Sequence, residues 1–298
     1  MIINIIALIL NPRVIVKCLI DGYISYMKTT ESIEKVQLFN EDCITGMAER
    51  LKPESIDIIV TSPPYNIGVK YRKYDDRIPR TEYIDWLKCW GQAVSTVLKN
   101  SGSLFLNVGC KPSDPTIPFE VLKALQTDFK LQNVIHWIKS IHIGSGSYGN
   151  EIDINVGHYK PINSKRFLND NHEYIFHLTK TGDVPLDRLA IGVPYKDKSN
   201  IERWKNGKSQ KRCRGNCWFI PYKTIQNRDK DRPHPASFPK ELAETCIKLH
   251  GIKKKKITVL DPFMGIGNTG LACKELNLKF IGFEIDPYYF KKAKELLT

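Results

Sequence analysis

Acidic residues are what this 298-residue chain is short of: Asp and Glu number 32 against 45 Lys and Arg, a net charge of +13. The excess says little about fold but points to a polyanionic partner, nucleic acid ahead of a membrane surface. Long apolar runs are missing too. The one candidate, residues 1–10, is broken by Asn11, Pro12 and Arg13. It falls well short of the roughly 20 residues a spanning helix needs, and no basic segment precedes it as in a secretory signal. A soluble, cytoplasmic protein is expected. Residues 1–26 read as an upstream leader from a misplaced start codon, with a genuine edge strand as the alternative, because Met27 opens the polar stretch 28–34. A disulfide framework is absent: the eight cysteines (18, 43, 89, 110, 213, 217, 246 and 273) are scattered through a chain too long to be a stapled miniprotein. Cys213 and Cys217 lack partners at zinc spacing, so no metal is expected. There is no internal repeat, and the lysine run 253–256 reads as solvated surface.

With 42% hydrophobic and 26% charged residues the chain has enough apolar surface to pack a core, which excludes disorder. Runs rich in β-formers at 56–60, 103–108, 133–139, 173–178, 257–260 and 279–283 alternate with amphipathic helical stretches, the pattern of an α/β domain with a largely parallel sheet. In 83–99, Leu87, Trp90, Val94, Val97 and Leu98 share one helical face, and in 238–250 Leu242, Cys246 and Leu249 do the same. The last helix, 288–297, follows Asp286 and Pro287, an N-cap with proline in the first turn. From about 179 to 232 the rhythm breaks into Gly, Pro, Asn and charge, which reads as an insertion on the core. Within it, 196–214 carries eight basic residues against two acidic, with Trp204 and Trp218 nearby.

Two segments carry chemistry. In the first, the apolar run from Asp57 enters Thr61-Ser62-Pro63-Pro64-Tyr65. Proline fixes φ and lacks an N–H, so this turn is held extended with carbonyls turned outward. In an open α/β sheet, ligands collect beyond the carboxyl ends of strands, which makes the turn a crevice wall rather than a plain β-turn. In the second, the strand 257–260 enters Asp261-Pro262-Phe263-Met264-Gly265-Ile266-Gly267 and then a helix to about Leu276. Glycines there let backbone approach a ligand, and Glu284, 19 residues after Gly265, stands where an acid can grip ribose hydroxyls. Strand, glycine turn, helix and acid together mark a nucleoside-binding site.

These segments resemble the S-adenosylmethionine-dependent DNA methyltransferases that act on exocyclic nitrogens, cytosine N4 or adenine N6. Thr61 to Tyr65 matches the family's catalytic motif and Asp261 to Gly267 its cofactor loop. The pattern extends to Asn40-Glu41-Asp42-Cys43, to His172-Glu173-Tyr174-Ile175-Phe176 and to His234-Pro235-Ala236-Ser237-Phe238-Pro239, so it covers roughly 36–298. One departure is Asn268, where the family usually has Thr after the second glycine. The resemblance implies an α/β Rossmann-like methyltransferase sheet with helices on both faces, circularly permuted in the β-group order. Residues 27–178 would form the catalytic half, 179–232 an inserted target-recognition region and 233–298 the cofactor half.

An aromatic amine is a poor nucleophile because its lone pair is delocalised, and acceptors on its two hydrogens localise that pair toward the methyl sulfonium. By resemblance Ser62 Oγ and the Pro63 carbonyl are those acceptors, Pro64 stiffens the turn, and Tyr65 stacks on a base extruded from the duplex. The resemblance assigns Asp261, Pro262, Phe263, Gly265 and Gly267 to the cofactor cradle and Glu284 to the ribose, with Asp42, His234 and Phe238 closing the pocket. Serine before Pro-Pro-Tyr favours cytosine N4, with adenine N6 as the alternative. Double-stranded DNA is the expected partner: Lys205, Lys208 and Lys211 are read as phosphate contacts and Arg212 or Arg214 as reaching a guanine edge. A cognate restriction endonuclease would share the recognition site. A nicotinamide-dependent dehydrogenase would also want the glycine turn and the acid but leaves Ser62 to Tyr65 unexplained, and a non-catalytic DNA-binding protein explains only the charge.

Overall fold

The computed structural model describes residues 35–146, 151–157, 163–195, 199, 201, 210–221, 234, 236–252 and 256–298. The leader and its start-codon question lie outside these residues, as do Lys205 and Lys208. Among the described residues no helix is long and apolar enough to cross a membrane.

The chain runs β1 (Val36–Phe39), α1 (Cys43–Arg50), β2 (Ile56–Thr61), α2 (Arg80–Val97), β3 (Leu98–Val108), α3 (Ile117–Leu125), β4 (Lys130–Ile138), β5 (Ile141–Ile143), β6 (Ile154–Val156) and β7 (His172–Thr179). Then follow β8 (Val193–Pro194), β9 (Lys211–Arg212), β10 (Cys217–Phe219), α4 (Lys240–His250), β11 (Thr258–Asp261), α5 (Asn268–Glu275), β12 (Lys279–Phe283) and α6 (Pro287–Leu297). Eight strands form one sheet in the order β1-β12-β11-β2-β3-β7-β4-β10, and β5/β6 and β8/β9 make two small antiparallel ladders. The sheet is largely parallel, as expected; its one reversal is β7, which runs antiparallel to both β3 and β4 while the other pairs are parallel.

β2 shows how sequence sets this architecture. All six of its residues are buried, as expected of a central strand covered on both faces. Ile58 and Val60 join the apolar layer that holds Leu242, Cys246, Ala272 and Leu297 of α4, α5 and α6. Ile59 joins the opposite layer with Met47, Leu87, Trp90 and Val121 of α1, α2 and α3. Ile56 packs with Ile59 because the register slips between Ile56 and Ile58, a bulge at Asp57. The buried Asp57 carboxylate is satisfied by Lys99 Nζ at 2.7 Å and the Thr258 N–H at 3.0 Å. Among the described residues, helices therefore cover both faces, three on each.

The segment read as an insertion is not wholly outside this core. β10 adds to the sheet edge beside β4, and Ile191, Trp218 and Ile220 are buried in the second apolar layer. Trp218, taken with the basic cluster in the sequence, is a core residue at 1% exposure. A three-residue strand in a polar context leaves no periodicity by which to find it.

Candidate active site

The Ser62–Tyr65 turn hangs from the carboxyl end of β2 and is tied on both sides. The Pro64 carbonyl accepts from the buried Tyr83 hydroxyl of α2 at 2.6 Å. Beyond Tyr65, four successive N–H groups close on one carboxylate: Asn66 at 2.8 Å, Ile67 at 3.1 Å, Gly68 at 3.0 Å and Val69 at 2.9 Å all donate to Asp76. Asn66 and Gly68 take positive φ, 57° and 85°, to make that convergence. Asp76 is 1% exposed; burial raises its carboxyl above the ordinary value, and the four N–H bonds oppose the rise.

Behind the turn lies a second hydrogen-bonded group. Ser62 Oγ is 2.6 Å from the Tyr65 hydroxyl, which donates to Glu173 Oε2 at 3.2 Å. Asn107 Nδ2 donates both to the Tyr65 oxygen at 2.7 Å and to Glu173 Oε2 at 2.6 Å, and Lys139 Nζ donates to Glu173 Oε1 at 2.9 Å. Tyr65 is only 7% exposed.

On the other side, β11 delivers Asp261, which accepts from Thr61 Oγ1 at 2.7 Å, Thr269 Oγ1 at 2.6 Å and the Phe263 N–H at 3.1 Å. The carboxylate thus ties the ends of β2 and β11 to the start of α5, and burial pushes its pKa up to about 6. Gly265 has φ 53°, and a Cβ there would sit 3.3 Å from the His234 ring. Gly267, at φ 93°, turns the chain into α5. Asn268, the departure from the expected Thr, donates from Nδ2 to the Phe238 carbonyl at 2.6 Å and so joins the glycine turn to the segment before α4.

Glu284 stands at the end of β12. Its Oε2 accepts from the Gly265 N–H at 3.0 Å and its Oε1 from the Asp286 N–H at 2.8 Å. Each oxygen keeps a lone pair for a ligand. Burial, ahead of the neighbouring Asp286 and Asp261 charges, pushes its pKa up to about 7 against the two N–H bonds. From the far side, β1 supports its backbone: Phe39 O accepts from the Glu284 N–H, and Asn40 Nδ2 donates to the Glu284 carbonyl at 2.7 Å.

Both halves open on one cavity of about 1060 Å³, its mouth included. Of the expected residues, Ser62, Pro64, Asp42, His234, Phe238, Asp261, Pro262, Phe263, Gly265 and Glu284 line it. Pro63 and Tyr65 are buried behind the wall, and Gly267 shapes the turn without lining the cavity. Asp42 also caps α1, accepting from the Ile44 and Thr45 N–H groups at 3.0 Å. Lys211 and Arg212 are exposed on β9 and Arg214 is half-buried, all away from this cavity.

Sequence reasoning missed several residues in or directly behind the wall. Trp86 and Trp90, one turn apart on α2, hold the Phe263 ring at centroid distances of 5.8 and 5.6 Å. Tyr289 packs on His234 at 4.5 Å. Asp286, read only as a helix cap, also lines the cavity; its Oδ2 is buried, accepts no hydrogen bond among the described residues and lies 3.7 Å from Arg72 Nε. Trp86 and Asp286 carried a local signal, an aromatic pair at helical spacing and an acid beside Glu284. Asn107, Lys139 and Glu173 come together only through strand pairing, which no local motif records.

Comparisons with known proteins agree with this geometry. The chain is 29% identical over 276 residues to the type II methyltransferase M.BglII of Bacillus subtilis, covering 88% of this chain and 69% of that protein. It is 28% identical over 247 residues to the DNA adenine methyltransferase YhdJ of Escherichia coli K12, covering 82% and 76%. The solved structure of the cytosine-N4-specific PvuII DNA methyltransferase shares the fold, with a TM-score of 0.60 at 20% identity over 88% of this chain and 86% of that one. The N6/N4 DNA methylase family model matches residues 56–295, from β2 to the last helix, and the chain belongs to that family.

Proposed function

We propose that this protein is the modification enzyme of a type II restriction-modification system, transferring a methyl group from S-adenosylmethionine to an exocyclic amine of a base in duplex DNA. The observation that carries the reading is the single cavity joining Ser62 to Glu284. The residues present suit S-adenosylmethionine. Two buried carboxylates, Glu284 and Asp286, face a ligand with unused acceptor capacity, Phe263 and the His234–Tyr289 pair give flat walls for a nucleoside, and a Cβ on Gly265 would crowd the His234 ring. When bound, the cofactor supplies the electrophilic methyl group. Glu284 would accept from the ribose hydroxyls and Ser62 Oγ, which lines the cavity, from the target amine; the Pro63 carbonyl is the proposed second acceptor, although that residue lies behind the wall.

The proposed target is cytosine N4, on the strength of Ser62 at the first motif position. The similarity to a DNA adenine methyltransferase favours adenine N6 as the second reading. The motif order supports a circular permutation with residues 27–178 as the catalytic half, 233–298 as the cofactor half and the basic segment within 179–232 as the target-recognition region. Lys205, Lys208, Lys211, Arg212 and Arg214 are its proposed DNA contacts, and a nuclease of the same specificity is the proposed partner. Ser62→Ala tests the catalytic assignment: it should keep cofactor affinity and lose on the order of 10²–10³ in turnover, because the lost acceptor acts mainly in the transition state. Methylation at the wild-type rate would remove Ser62 from the mechanism.

A further inference from the structure

The hydroxyl chain behind the catalytic turn has a defined direction. Two oxygen–oxygen contacts need a proton each: Ser62 Oγ to the Tyr65 hydroxyl at 2.6 Å and the Tyr65 hydroxyl to Glu173 Oε2 at 3.2 Å. Two hydroxyl protons are available, because Glu173, ion-paired with Lys139, is acceptor-only as a carboxylate. Asn107 Nδ2 cannot exchange places with its oxygen, since an amide oxygen there would lie 2.6 Å from the Glu173 carboxylate oxygen with no proton between them. The Tyr65 proton therefore lies toward Glu173, and the Ser62 proton lies toward Tyr65. The reverse arrangement would press an unprotonated Tyr65 lone pair against a carboxylate oxygen. With its proton turned inward, Ser62 presents only lone pairs to the cavity it lines.

We propose that the Lys139–Glu173 pair is a positioning device that, acting through Tyr65, fixes Ser62 as a hydrogen-bond acceptor toward the target amine. The inference rests on the reading of Ser62 as the amine acceptor. Without the carboxylate, the Tyr65 proton has Ser62 Oγ as its nearest acceptor. It would occupy one serine lone pair and release the serine proton toward the cavity, where it opposes the amine hydrogens. Glu173 and Lys139 lie on β7 and β4–β5, far from the motif in sequence, and their side chains are 12% and 19% exposed, so bulk water does not compete strongly for the chain's polarity.

The test replaces the pair by apolar isosteres, Glu173→Leu with Lys139→Met, which avoids leaving one buried charge unpaired. Single-turnover methylation is measured beside the dissociation constants for S-adenosylmethionine and for duplex DNA. The expected result is a rate lower by about tenfold or more, with both dissociation constants within about twofold of wild type. In a Tyr65→Phe background, which keeps the ring but removes the connecting hydroxyl, the same pair of substitutions should cause no further loss. A wild-type rate in the pair variant overturns the proposal, and so does an equal fold-loss in both backgrounds, which would assign the pair to packing. Should the pair variant fail to fold, Tyr65→Phe alone must still slow the reaction with binding intact; a wild-type rate there also overturns it. Ser62→Ala run alongside separates the two readings. Full activity in Ser62→Ala defeats the acceptor assignment itself, whereas loss in Ser62→Ala with none in the pair variant defeats only the polarity.

Discussion

As the proposed ribose ligand, Glu284 would make cofactor binding depend on pH in a calculable way. Its carboxyl titrates near 7 in the free protein, mainly because burial penalises the charge. Raised above the ordinary value of 4.5, it gives the fold stability that is present below pH 4.5 and lost as pH rises through 7. Ribose binding has the opposite preference, because two hydroxyl donors want the carboxylate. Affinity should therefore climb as pH rises toward 7 and level off above it. At pH 5.5 the ionised fraction implies affinity about 30-fold below the plateau. Glu284→Gln removes the titration, so its affinity should be roughly tenfold or more below wild type at pH 8 and approach wild type near pH 5.5. Calorimetric titration of S-adenosylmethionine from pH 5.5 to 8.5, read as the ratio of variant to wild type, cancels the cofactor's own α-amino titration and that of Asp261. A ratio constant across this range would refute the assignment of Glu284 to the ribose.

The remaining expectations concern the scaffold and the DNA surface. Asp76→Asn replaces an acceptor of four N–H bonds by a group with one acceptor oxygen, so thermal unfolding should show a loss of about 2–4 kcal/mol together with reduced turnover; unchanged melting and rate would mean the loop holds itself. His177, bonded to Ser103 and Asn133, has its pKa lowered to about 3 by burial and then by His250. The unfolded chain takes up that proton below about 6.5, so the stability contribution present above this pH is lost as pH falls, by about 2 kcal/mol at pH 5. Denaturant unfolding of wild type and His177→Gln at pH 7.5 and 5 should show that difference narrowing, and an unchanged difference refutes it. Lys205, Lys208 and Lys211 changed together to Ala should weaken binding to all DNA alike and flatten the salt dependence by about one unit per lost phosphate contact. A slope equal to wild type would move the DNA surface out of this segment.

The elements marked by short runs of β-formers were legible: β2, β3, β4, β7, β11 and β12 lie where the sequence put strands, and α6 begins at the expected Asp286 cap, whose side chain accepts from the Tyr288 N–H at 2.8 Å. The turn residues were legible for a related reason, since Pro63, Pro64, Gly265 and Gly267 constrain backbone by their own chemistry. Other features depend on pairing across the sheet. β1 and β10 are too short to show a period, and the reversal of β7 cannot be read from a strand's own composition. The partners of Asp261 and Tyr65 were not legible for that reason: each side chain was recognised, but Thr61 and Thr269 for one and Asn107 and Glu173 for the other arrive from distant strands and a helix.

Methyl transfer from labelled S-adenosylmethionine to duplex DNA, followed by nucleoside analysis of the digested product, tests the central claim most directly. The account predicts label in DNA as N4-methylcytosine, abolished or nearly so in Ser62→Ala. Label in N6-methyladenine would contradict the base assignment drawn from Ser62, and a folded, cofactor-binding protein that labels no base in DNA of varied sequence would contradict the account itself.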